Sequence, residues 1–214
     1  MKLQEPNLPG QLAEPAEFFS LAGNSREEEQ DLCALLVKGV FFTETDFSRL
    51  CLKGVQFENC RFPACIFRNC DFLDTVFLRC DFSNCDFGDS FWARCRMDSC
   101  KAVGARFEDA SFQHIQIQNS NFSYSNFDSA KWKTVRIAES NLENASLAQC
   151  KLTSVELQDT DLIRASFFQT PLKGIDLRSC QIDGLVVSGT ELKGAVVDAY
   201  QASELAKLLG LIIR

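Results

Sequence analysis

Every fifth residue from Leu32 to Val197 is apolar, 34 positions in one unbroken register, and only Ala102 among them is small. The run opens Leu32, Val37, Phe42, Phe47, Leu52, Phe57 and continues through Trp92, Met97, Phe107, Phe127 and Trp132 to Leu192 and Val197. A helix repeats at 3.6 residues and a strand at 2.0, so neither produces a period of five. A strict short repeat of this length specifies a solenoid, in which each unit buries its apolar residue only by stacking on its neighbours.

A second column narrows the geometry. The residue two before each central one is nearly always small, as at Cys60, Cys65, Cys70, Thr75, Cys80, Ser90, Ala105, Ser120, Ala130 and Thr160. Each unit therefore has one large and one small inward position, and its other three residues are mostly polar, as in Cys70-Asp71-Phe72-Leu73-Asp74. Small inward residues let the backbone turn a corner inside a narrow core.

These units resemble the A(D/N)LXX pattern of pentapeptide-repeat proteins over about four-fifths of the chain. The resemblance implies an all-β solenoid, a right-handed quadrilateral β-helix with four pentapeptides per coil. Residues 32–197 then make about eight coils, a rod of ~40 Å at the strand spacing. The closing segment, Tyr200 to Arg214, is similar to the end of the Qnr-like quinolone-resistance branch. That likeness implies binding to type II topoisomerases, DNA gyrase and topoisomerase IV, by imitation of the DNA duplex. It also implies a homodimer through the C-terminus. In the better-known members of that branch loops interrupt the repeat; here the register never breaks.

Three segments follow from the period. Residues 1–31 lie outside it and carry Pro6, Pro9 and Pro15, the apolar cluster Phe18, Phe19, Leu21, and an acidic run at Glu27–Glu29. An open solenoid end exposes core and unpaired strand edges, so this segment is expected to cap the first coil, with 23–30 as a mobile acidic loop. Residues 32–197 form the solenoid. Residues 198–214 change period: Asp198 is placed to cap a helix over Tyr200–Leu209, Gly210 to stop it, and 211–213 to form a short strand. Tyr200, Leu205, Leu208, Leu209, Leu211, Ile212 and Ile213 are the expected dimer contact.

Nine of the eleven cysteines occupy the small inward column, where a buried thiol acts as a small hydrophobe. No disulfide framework, secretory leader or membrane span is legible, so a cytoplasmic location is expected. No nucleophile motif, phosphate loop or metal-ligand spacing interrupts the repeat, and the single histidine, His114, sits at an outward position. A non-enzyme without metal or cofactor is expected.

Charge carries more information. The chain has 22 basic and 29 acidic residues, a net of −7, of which residues 1–31 hold −5. Sorted on a twenty-residue coil, the side carrying Leu52, Phe72, Trp92, Phe112 and Trp132 is basic, at +4. The other three are acidic, at −2, −2 and −3. The most acidic side, that of Phe47, Phe67, Phe87, Phe107 and Phe127, carries Asp46, Asp86, Asp89, Glu108, Asp109 and Asp128. These six are the candidate partner-binding residues, aimed at a basic protein surface. Direct nucleic-acid binding is not expected. A duplex holds about 24 charges in ~40 Å, far more than these sides supply, so any mimicry works by shape and local carboxylate placement. The alternative is a non-catalytic scaffold that presents its rod to a different protein partner.

Overall fold

The computed structural model describes residues 2–212, apart from the side chain of Leu209. One helix, α1 (Phe18–Glu27), precedes ten strands: β1 (Leu32–Cys33), β2 (Leu36–Lys38), β3 (Cys51–Lys53), β4 (Gln56–Glu58), β5 (Asp71–Leu73), β6 (Val76–Leu78), β7 (Phe91–Asp98), β8 (Ser111–Gln118), β9 (Lys131–Ala138) and β10 (Lys151–Gln158). A second helix, α2 (Ala199–Ala206), follows, and a 3-10 turn extends it over Lys207–Leu209.

All strand pairs are parallel, and each residue pairs with the one twenty further on: Leu32, Leu52, Phe72, Trp92, Phe112, Trp132 and Leu152 form one continuous ladder. This ladder of strands makes about six turns, against the eight coils counted from the sequence. The chain keeps climbing after Gln158, but single bridges such as Asp161↔Gln181 and Asp176↔Val196 replace strands there. Pro171, which has no amide to donate, and the glycines at 174, 184 and 194 interrupt extended pairing in these last coils.

The core is a stack of central side chains. Phe47, Phe67, Phe87, Phe107 and Phe127 lie face to face, with ring centroids 5.2, 5.1, 4.9 and 4.7 Å apart. Neighbouring columns meet edge to face, as Phe77 and Phe82 do at 86°, so each ring satisfies both preferred aromatic geometries. Ala102 breaks one column between Phe82 and Phe122, and Phe122 tilts 41° against Phe107 in response.

The small column does more than fill space. Its thiols and hydroxyls donate to the carbonyl of a central residue one coil down: Cys70 Sγ to Phe47 at 3.1 Å, Ser125 Oγ to Ala102 at 2.7 Å, Thr170 Oγ1 to Leu147 at 2.6 Å. Cys, Ser and Thr therefore recur for their hydrogen as well as their size. The corners are left-handed. Residues two after the central one hold φ near +55°, among them Asn59, Asn69, Asn84, Asn119 and Asn144, and asparagine tolerates this region better than most residues. His114 is one of these corner residues, at φ 56° and half-buried, so it is less exposed than its outward position suggests.

The N-terminal segment has two parts. Phe18 of α1 is buried against Phe42, Phe47 and Phe57 of the first coils. Gly23 to Glu27, expected as loop, belongs to this helix, because docking of Phe18 and Ala22 holds its whole length. Before α1 the chain runs along the rod. Ala13 bridges Leu35, Pro9 packs where a Cβ on Gly54 would lie, the Asn7 N–H donates to Asp74 at 3.0 Å, and Gln116 donates to Glu5.

At the other end Asp198 caps α2 with a full capping box, accepting from Gln201 N at 2.8 Å. Gly210 stops the helix in the left-handed conformation. Leu211 and Ile212, expected to begin a short strand, form none. Ile213 lies outside the described residues.

Candidate functional site

The acidic residues do share one side of the rod, but they are not equivalent. Asp46, Ile66, Asp86, Arg106, Asn126 and Ser146 form a single column, each bridged to the next. Within it Asp86 is buried, its side chain 8% exposed, and held by two arginines. Arg68 Nη1 lies 3.3 Å from its Oδ2 and Arg106 Nη2 lies 2.5 Å away. Its Oδ1 accepts from the Gly88 N–H at 2.9 Å. Arg68 also pairs with Asp89. A Cβ on Gly88 would lie 2.6 Å from Arg68 Nη1, so glycine is what lets the guanidinium rest on the backbone between its two carboxylates. Asp86 stabilises the rod and is closed to a partner.

Asp46 lies at the edge, 3.8 Å from Arg26 of α1. Hydrogen bonds from the Ser48 side chain and N–H hold its carboxyl below the usual carboxylate range. Glu108, Asp109 and Asp128 make no ion pair among the described residues. Glu108 Oε1 accepts from Asn126 at 3.0 Å while its Oε2 is buried without a partner. Asp128 accepts from Ser146 Oγ at 2.5 Å and Ala148 N at 3.0 Å, and Asp109 is exposed. The uncompensated part of this side is thus Glu108, Asp109 and Asp128, in adjacent coils. The sequence showed the arginines as opposing charges; it did not show that Arg68 bends to Asp86 and Asp89, because that depends on side-chain direction across coils.

Two family models match the chain, one for a pentapeptide repeat region over residues 72–147 and one for pentapeptide repeats over 135–169. Together the models identify residues 72–169 as pentapeptide repeats. Its fold is like that of QnrB1, a plasmid-mediated fluoroquinolone resistance protein. One trypsin-treated form matches with a TM-score of 0.54 at 24% identity, covering 86% of this chain and 100% of that one. A second form matches at 0.52 and 24%, covering 84% and 90%. No curated protein matches the sequence.

The C-terminal end of the pentapeptide rod offers an apolar surface. Tyr200, Leu208, Leu211 and Ile212 are exposed, Ile212 at 84%. Leu205 instead packs partly against the core of its own last coils. Leu192, Val197, Ala202, Leu205 and Leu208 line a groove of about 430 Å³ there. The side chain of Leu209 and all of Ile213 lie outside the described residues. Gln201 is buried and donates to the carbonyls of Leu177 and Cys180 at 2.8 and 2.9 Å.

The nine inward cysteines are buried. Burial pushes the Cys70, Cys95 and Cys150 thiols up to about 12, which leaves little reactive thiolate near neutral pH. No group of three or more His, Cys, Asp or Glu among the described residues is placed to hold a metal ion, and no helix is long and apolar enough to cross a membrane.

Proposed function

We propose that this pentapeptide rod is a protein-binding module that docks on a type II topoisomerase, DNA gyrase or topoisomerase IV, and modulates it. The observation that carries this reading is the QnrB1-like fold over 86% of the chain. The ridge of Glu108, Asp109 and Asp128 supports it: three carboxylates without ion pairs, the first two in one coil and Asp128 one strand spacing further along the rod, suited to the Lys and Arg of a DNA-binding saddle. The test is a supercoiling assay with purified gyrase, with and without a fluoroquinolone, beside a direct binding measurement. Reversing exposed Asp89 and Asp109 to Lys should abolish binding mainly through the association rate. No binding of the unmodified protein at low salt sinks the proposal.

A scaffold reading is favoured by one observation: Asp46, Asp86 and Asp89 already face Arg26, Arg68 and Arg106. Partner binding that barely responds to salt would select it. In either reading we infer a homodimer through Tyr200, Leu208, Leu211 and Ile212. Sedimentation should show a dimer at micromolar concentration and a monomer for Leu208→Asp, which places an unpaired charge in the apolar contact.

A further inference from the structure

Several charges of this rod are compensated between coils. Arg94 pairs with Asp74, Arg106 with Asp86 and Lys101 with Asp81, each twenty residues apart, and Arg164 pairs with Glu143. The basic side carries a group of lysines outside this pattern. On the side of Trp132 and Leu152, Lys131, Lys133, Lys151, Lys173 and Lys193 are all exposed, and none pairs with a carboxylate among the described residues. Lys131 and Lys151 are direct strand partners in β9 and β10, an arrangement that like charges make unfavourable. The one carboxylate among them, Glu191, is 4% exposed and turned inward, accepting from Gln169 N, Ser188 N and Ser188 Oγ.

The residues between the lysines have a common chemistry. Gln113, Thr153 and Ser154 are neutral hydrogen-bond donors at the surface. From Lys131 to Lys193 the surface exposes no aromatic ring for base stacking and no large apolar side chain to enter a bilayer; exposed Phe91 of the same column lies two coils below Lys131. Lysines flanked by hydroxyl and amide donors on a flat strand surface are the groups that meet phosphate oxygens.

We propose that this side is a second interaction surface, and that it binds the phosphodiester backbone of a nucleic-acid duplex without reading sequence. From Lys131 to Lys193 the surface climbs three coils, ~14 Å at the strand spacing. A duplex presents about eight phosphates over that length, enough for each lysine to find one. This departs from the expectation that the chain would not touch nucleic acid. The side stands at +4 in the sequence, and a duplex meets one side at a time. The surface lies on a different side of the rod from Glu108, Asp109 and Asp128, so the two contacts do not compete for residues.

The test is fluorescence anisotropy of a labelled duplex of about two turns, ~20 base pairs, titrated with the full chain at several salt concentrations. Engaging about four phosphates gives a slope of log K against log salt near −3.6. Lys131→Glu with Lys133→Glu and Lys151→Glu should weaken binding more than tenfold at low salt. Lys173→Glu with Lys193→Glu, in separate coils, should weaken it in the same direction. Asp89→Lys with Asp109→Lys should leave it unchanged or tighter. Unaltered circular dichroism and melting of each variant separate loss of contact from loss of fold. An RNA duplex in a parallel titration tells which backbone is preferred, and binding of either supports the proposal. Three results overturn it: no binding at low salt, binding indifferent to the lysine reversals, or polyglutamate or anionic vesicles bound as tightly as the duplex.

Discussion

The coils up to Trp132 and those after Leu142 follow one repeat and are built differently. The first set places aromatic rings one above another, 4.7–5.2 Å apart in the column of Phe47 to Phe127 and 3.9–6.0 Å apart in that of Phe72 to Trp132, and carries continuous strands of up to eight residues. The second set stacks Leu142, Leu147, Leu162, Leu172 and Leu177, and after Gln158 it is joined by single bridges. Leu152 and Val155 are half-buried where Trp132 and Val135 are fully enclosed. Both sets keep their central residues inward, so the period alone secures the path of the chain. What aromatic faces add is contact area between coils, and with it the regularity of the ladder.

The largest expected effect tests that difference directly. Phe87 lies between Phe67 and Phe107, parallel to each within 9° and 4°. Phe87→Ala should cost about 4 kcal/mol of stability, while Leu162→Ala, in coils better able to close on the gap, should cost about 3 kcal/mol. Chemical denaturation of both variants reads the difference, and equal or reversed costs would remove the energetic contrast between the two sets.

Next in size is an acid effect strongest in the leucine coils. Burial would push the Glu191 carboxyl up, but hydrogen bonds from backbone N–H groups and Ser188 hold it at about 2, below its usual 4.5. A carboxyl depressed by folding stabilises fully above its unfolded value and loses that contribution as pH falls through its folded one. The last coils should therefore loosen between about pH 4.5 and 2 while 91–138 stay protected, as hydrogen exchange would show. Glu191→Gln should flatten that dependence; an unchanged acid profile would rule out this carboxylate as the cause.

A smaller effect concerns opening of the native state. Burial raises the thiols of both Cys95 and Cys180, so labelling of either requires local unfolding. Cys180, in the bridged coils, should react on the order of tenfold faster than Cys95, since opening there exposes fewer buried contacts. Similar rates would mean that the rod opens as one unit. The smallest expected effect is a gain. Trp92 Nε1 donates to Ser90 Oγ at 2.7 Å, whereas Trp132 has Ala130 at the equivalent position and its buried Nε1 lacks a partner. Ala130→Ser should add about 1 kcal/mol by supplying one, measured as a rise in melting temperature.

The path of the chain was readable because one period governs it and every unit obeys. The left-handed corners were not read from the sequence: Asn and Gly recur two residues after the centre, and the backbone angles give the reason. Charged sides follow from the same arithmetic, yet the state of each charge does not. Asp46 and Asp86 hold the same place in the repeat, and only the reach of Arg68 and Arg106 makes Asp86 a buried clamp and leaves Asp46 exposed. The run of residues 5–13 along the rod was not readable, since it has no period and is fixed by individual contacts such as Asn7 with Asp74.

The twenty-residue register has a consequence for how such a chain can change. Inserting twenty residues at a corner adds a full revolution and leaves everything downstream in phase. Inserting five would still fill every core position and close every backbone bond, but it would rotate all later coils by a quarter turn. An insertion of five between Asp128 and Lys131 would thus carry the five lysines onto another side of the molecule with no loss of packing. In this architecture the core is indifferent to phase and the surface is defined by it, so whole recognition patterns can be re-aimed without redesigning a single contact beneath them.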